Sequence, residues 1–188
     1  AIDYDEFSSK TNSDAIIHFC KTVKQLTGKL AGVFYGYMNF MWNANYTGHL
    51  GVDRVLNSKW VDFFASPKSY YRCLPGDSGG FMCPVDSIMR KKIWLDELDN
   101  RTYLCRETSA DENRADTPEG TNAVFLRELC KNMSHGASFW WMDLGGGWFD
   151  SPEIMSLVKK MTQIKKALDK TNHESTADVL VLFDEKGM

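Results

Sequence analysis

The apolar positions of this 188-residue chain switch repeatedly between a helical and a strand period. In SDAIIHFCKTVKQLTGK, residues Ile16, Ile17, Phe19, Cys20, Val23 and Leu26 recur at helical spacing, with Ser13 placed to cap the start and Gly28 just past the end. LAGVFYGYMNF is a short apolar run of the buried-strand kind, HLGVDRVLNS reads as a helix, and WVDFFASP reads as a strand stopped by Pro67. A Gly/Pro/Ser-rich segment then runs to about Asp86, and KKIWLDELD is again a strand. The polar tract RETSADENRADTPEG offers almost nothing to bury and is expected to be a loop. TNAVFLRELCKNMSHG is a helix with Val124, Leu126, Leu129, Cys130 and Met133 on its apolar side, closing at Gly136. ASFWWMDLGGGWF is a strand running into a glycine loop, and SPEIMSLVKKMTQIKKALDK is a helix with Ser151 as N-cap and Pro152 at N1. After the linker TNHES, the run ADVLVLFDE is a last strand.

Alternation of this kind predicts an α/β fold with a parallel sheet, because parallel neighbours need a crossover connection. The strand starts near Leu30, Val61, Ile93 and Ser138 are spaced as βα units of about 30 to 45 residues. A closed (β/α)₈ barrel wants eight strands and typically about 250 residues, so the four units here amount to half of one.

Composition narrows the partners. With 43% hydrophobic and 13% aromatic residues the chain can bury the core of one sizeable domain. A net charge of −3, with acids and bases interspersed, argues against nucleic acid. No apolar stretch approaches the roughly 20 residues of a membrane span, and the opening AIDYDEFSSK is unlike a signal peptide. The chain starts without Met and is expected to be a piece of something longer. Five cysteines without a C-x-x-C pair write neither a zinc knuckle nor a disulfide framework, which favours a reduced compartment, the cytoplasm. Cys73 and Cys83 would bridge only in an oxidising setting, and the sequons at Asn45, Asn100 and Asn132 are too short a pattern to argue secretion. No metal or cofactor is expected, since DLGGG lacks the G-x-G-x-x-G spacing of a nucleotide loop.

The segment RCLPGDSGGFMCP spells the surroundings of a chymotrypsin-like nucleophile at Ser78. That serine is normally placed by antiparallel β-barrels with His and Asp partners from separate loops, and this chain is of another class. The turn-forming residues of PGDSGG explain the stretch more simply.

In parallel sheets chemistry gathers at the carboxyl ends of strands. The first strand ends in Tyr35, Tyr37, Asn39 and Trp42, and the second in Ser66 and Tyr70. The third ends in Asp96, Glu97, Asp99 and Arg101, and the fourth in Trp140, Trp141, Asp143 and Trp148. Carboxylates among aromatics suit a sugar site. Strand alternation puts Trp94, Asp96 and Leu98 on one face, and Ile93, Leu95, Glu97 and Asp99 on the other. Glu97 is then either a functional group or one arm of an ion pair with Arg101.

Taken together, GVFYGYMNF, GHL, VLNSKWVDFFASPKSYYRCLPGDSGGFMCPVDSI, KKIWLDELDNRTYL and ASFWWMDLGGGWFDSPEI resemble the C-terminal half of the catalytic barrel of family 42-like glycoside hydrolases, β-galactosidase relatives. The similarity spans about residues 30 to 170. It implies that the strands correspond to strands five to eight of a (β/α)₈ barrel. Residues 1–172 would be the half-barrel, and 173–188 a linker and the first strand of a following α/β domain. It also implies that Glu97 is the nucleophile of a retaining β-glycosidase, with Tyr37, His49, Trp141 and Trp148 lining a sugar subsite. Each has an ordinary alternative: Tyr37 and Trp141 as core aromatics, His49 as a helix cap. Arg101 would orient acids, and Asp143 would bond a hydroxyl or hold the glycine loop. The strand-four acid/base, which follows an Asn in that family, has no counterpart here, and its loss forfeits about 10²- to 10⁴-fold in rate. The chain is therefore expected to be a weak enzyme alone, completed by a complementary N-terminal half or a second copy. A non-catalytic carbohydrate-binding remnant or an oligomerising scaffold is the alternative.

Overall fold

The computed structural model describes residues 2–40, 47–106, 114–171, 174–182 and 184. Its elements are α1 (Ile2–Thr27), β1 (Gly32–Phe34), a 3₁₀ turn (Tyr37–Phe40), α2 (Val52–Leu56), β2 (Phe63–Pro67), α3 (Val85–Met89), β3 (Ile93–Leu98), α4 (Pro118–His135), β4 (Ser138–Trp141) and α5 (Pro152–Leu168). The protein is α/β, and its four strands form one parallel sheet in the order β1-β2-β3-β4. Trp42, Asn45 and His173 lie outside the described residues, as do parts of the polar tract and of the last apolar run.

Two compact units divide the chain: Ala1–Pro67 with Phe81–Leu95 and Ala177–Met188, and Lys68–Gly80 with Asp96–Thr176. β3 begins in the first and ends in the second.

In the first unit α1 starts at Ile2, well before Ser13. Ser13 is no cap: its hydroxyl donates back to Ser9 O at 2.6 Å, a bond compatible with continuing helix, while Asp3 and Asp5 stabilise the first turn. The helix crosses α2 closely, and a Cβ at Gly51 would lie 2.0 Å from Ser13 Oγ. Only a glycine allows that approach. The sheet end of α1 is held by Lys24, whose Nζ meets Asp62 Oδ1 at 2.6 Å, while Asp62 Oδ2 accepts from Ala31 N. β1 is shorter than its apolar run, because Gly36 at φ +88° turns the chain and the Gly36 and Met38 amides donate to His49 Nδ1 instead of a neighbouring strand. α3 starts where the Gly/Pro/Ser-rich segment ends, formed around buried Val85 and Ile88. Residues 177–182 join no strand, and Val179, Leu180, Val181 and Leu182 are exposed.

In the second unit α4 opens on Thr117, whose side chain accepts from Gly120 N, and closes on Gly136 in the left-handed conformation. Val124, Phe125, Leu129 and Met133 pack with Ile154 and Met161 of α5. Leu126 and Cys130, expected on the apolar side, are exposed, and Glu128 and Asn132 are buried in their place. The helix is rotated because its inward polar groups find a charged partner on β3.

Candidate active site

That partner is Asp96, fully buried, whose Oδ2 lies 2.9 Å from both Lys131 Nζ and Asn132 Nδ2. Lys131 also meets Glu128 Oε2 at 2.6 Å, and Glu128 Oε1 takes Arg127 Nη2 at 2.6 Å. Burial pushes the Asp96 carboxyl up, and the Lys131 charge works against that shift. Arg127 continues into the PGDSGG loop, donating to the carbonyls of Cys73, Leu74 and Asp77, while Lys131 reaches Gly80 O. Ser78 Oγ donates to Gly79 O, a turn bond, and no base among the described residues accepts from it.

Since Asp96 faces α4, alternation turns Glu97 to the opposite face of the sheet. Its carboxylate is half-buried and makes no hydrogen bond or ion pair with any described residue. Burial raises its pKa, and the charges of Asp99 and Asp96 raise it further. The alternative of a Glu97–Arg101 pair is therefore not formed. The amide of Met142 donates to Leu98 O at 3.1 Å, a parallel register that sets Trp140 directly opposite Glu97 on the same face.

Beside Glu97, at the carboxyl end of β3, Tyr70 Oη donates to Asp99 Oδ2 at 2.6 Å. Lys68 Nζ lies 3.8 Å from Asp99 Oδ1 and 4.5 Å over the Tyr70 ring. Burial lowers the pKa of Lys68, with Asp99 as the main opposing charge; burial and then Asp99 push the Tyr70 hydroxyl far up. Asn100 is 1% exposed, and neither of its side-chain polar atoms has a hydrogen-bond partner among the described residues.

The remaining expected residues fall into distinct roles. Arg101 stacks its guanidinium 5.8 Å from the Trp148 ring and forms no ion pair with Glu97 or Asp99. Trp148 is 2% exposed and packs with Cys105, so it is a buried floor rather than an open platform. Asp143 Oδ2 accepts from Trp148 N at 3.1 Å, which holds the glycine loop. Trp141 stacks on Phe125 of α4 with centroids 4.3 Å apart, on the face away from Glu97. In the first unit Tyr37 and His49 meet edge-on at 5.2 Å. Burial lowers the His49 pKa to about 4, and Nδ1 accepts two turn amides, so the ring is neutral and fixes the turn after β1 rather than capping α2.

Sequence reasoning passed over Lys68, Tyr70 and Trp140 as site residues. A Lys immediately after a buried strand was a usable signal for the first, whereas the strand period puts Trp140 and Trp141 on opposite faces of β4 without saying which shares the face of Glu97. Asn100 and Asn132 are buried, so neither sequon presents an acceptor. Among the described residues no cluster of His, Cys, Asp and Glu is arranged to hold a metal ion, and no helix is long and apolar enough to cross a membrane.

No protein-family model, curated protein or solved structure matches the chain.

Proposed function

We propose that the chain is half of a (β/α)₈ retaining β-glycosidase barrel of β-galactosidase type, with Glu97 as nucleophile and a complementary half or a second copy supplying the rest. One observation carries the reading. Glu97 stands at the carboxyl end of β3 with its carboxylate free of partners among the described residues, on the face away from α4 and opposite Trp140. A carboxylate kept partly desolvated and unpaired is held ready to react, whereas a structural one is normally consumed by an ion pair. In the reaction the ionised Glu97 attacks the anomeric carbon, the glycosidic C–O bond breaks, and a glycosyl ester forms. The leaving oxygen takes a proton from an acid about 5 Å away, supplied by the partner half, and water then cleaves the ester.

An activated leaving group departs without that proton, so the nucleophilic half can be tested alone. Incubation with a dinitrophenyl 2-deoxy-2-fluoro-β-galactoside should leave a fluorosugar ester on Glu97, found by peptide mass mapping and missing in Glu97→Gln. Absence of the ester on Glu97 at saturating reagent would overturn the reading. Saccharide binding without ester would make the chain a binding remnant.

A further inference from the structure

Between β4 and α5 lies a cavity of about 290 Å³, close to the lower bound of about 300 Å³ for small-molecule sites and so of a size for one ring rather than a larger ligand. Its lining follows from two periods. Strand alternation puts Phe139 and Trp141 together on the face of β4 opposite Trp140, and helix spacing brings Thr162, Lys165, Lys166 and Asp169 to one side of the end of α5. The cavity and the Glu97 carboxylate are therefore on opposite faces of the sheet. Phe139 and Trp141 meet edge-on at 78° with centroids 5.7 Å apart, and Phe125, stacked on Trp141 at 4.3 Å, holds this aromatic corner in place.

The polar groups of the lining are unevenly engaged. Lys165 Nζ bonds Asp169 Oδ1 at 2.7 Å and lies 6.0 Å from the centre of the Phe139 ring, so the one carboxylate already has its cation. Thr162 Oγ1 donates its proton to Val158 O at 2.9 Å. The ammonium of exposed Lys166 makes no hydrogen bond or ion pair with any described residue, and the indole N–H of Trp141 makes no hydrogen bond with one either. Both of these groups donate and neither accepts. Two lysines against one aspartate leave the lining one positive charge. The carbonyls of the last turn, which would repel an anion, are taken up: those of Lys165, Ala167 and Leu168 accept from the amides of Asp169, Lys170 and Thr171. A neutral ring would gain only the apolar corner, and a cation would meet the surplus charge with no free carboxylate. A ring that carries one carboxylate uses both the corner and the free donors.

We infer that this cavity binds a small aromatic monocarboxylate, its ring in the corner of Phe139 and Trp141 and its carboxylate accepting from Lys166. The ligand is not a saccharide, and the inference goes beyond the glycosidase reading without depending on it.

The test is an NMR titration of the whole chain with 3-phenylpropionate, with 3-phenylpropanol and 3-phenylpropylamine as its neutral and cationic counterparts, read at the Trp141 indole N–H and the Phe139 and Lys166 amides. Saturable shifts are expected with the acid, which should bind about fivefold to tenfold more tightly than the alcohol at low ionic strength, the scale of one partly exposed ion pair. The amine should bind more weakly than either. Lys166→Met should bring the acid down to the affinity of the alcohol, and Lys166→Arg should keep the preference. Because the acid and the alcohol are compared on the parent chain, the result does not hang on a variant's folding. An alcohol that binds as tightly as the acid would reduce the cavity to an apolar crevice and overturn the inference. So would tighter binding of the amine, signals unmoved by the acid, or Lys166→Met with the affinity of the parent.

Discussion

A side chain's role here follows from what its charge meets. Glu97 pairs with no cation among the described residues, and burial together with two neighbouring carboxylates raises its pKa. Replacing Asp99 by Asn removes one of those charges, so the Glu97 carboxyl should titrate lower in a carbon-detected NMR experiment; an unchanged or higher midpoint would contradict the geometry. The raised pKa means that the native state prefers the protonated form. Its contribution to stability is present below the ordinary glutamate value and is lost as pH rises through the folded one. Glu97→Gln should therefore raise the melting temperature at neutral pH and lose that advantage near pH 4, as thermal melts across pH would show. His49 has the opposite sign. With a pKa lowered from 6.5 to about 4, it makes the protein lose stability as pH falls through that interval, and His49→Gln should flatten this part of the profile in urea titrations.

At the scale of elements, α4 is tied to β3 by an ion pair and a hydrogen bond to Asp96, while its apolar face packs on α5. Asp96, Lys131, Glu128 and Arg127 run as one chain from the buried face of β3 to the carbonyls of the PGDSGG loop. Removing the shared cation in Lys131→Met leaves Asp96 and Glu128 undercompensated. The expected loss is about 3–5 kcal/mol in urea denaturation, a large part of the about 5–15 kcal/mol that holds a typical domain. Protonating Asp96 relieves that burden, so the deficit should shrink as pH falls toward the ordinary aspartate range. A deficit that is constant with pH would assign the loss to packing alone. Much of this element was legible in the sequence: Gly136 as the stop of α4, and Val124, Leu129 and Met133 as core. Leu126 and Cys130 were not, because an apolar side chain on a helix shows its spacing but not whether a buried acid on the facing strand has claimed the inward arc.

For the whole molecule, the sheet begins at β1 and ends at β4, two strands with an open edge in the described order. Open parallel edges invite pairing, so static light scattering at micromolar concentration should give a mass above the monomer, and a stable monomer would count against the half-barrel proposal. The order of α1, β1, α2, β2, β3, α4, β4 and α5, the parallel connections and the two faces of IWLDEL were determined by the sequence alone, since hydrophobic period is a local property that each segment carries with it, whereas α3 and the unpaired run 177–182 were not. Tertiary structure decided which tryptophan stands by Glu97, because strand register depends on a partner strand that no local pattern names. It also decided that Arg101 stacks on Trp148 instead of pairing with acid, that His49 fixes a turn, and that Lys68 lies against Asp99 and Tyr70. Those outcomes turn on charges and rings brought together across long stretches of chain, where burial sets the strength of each contact.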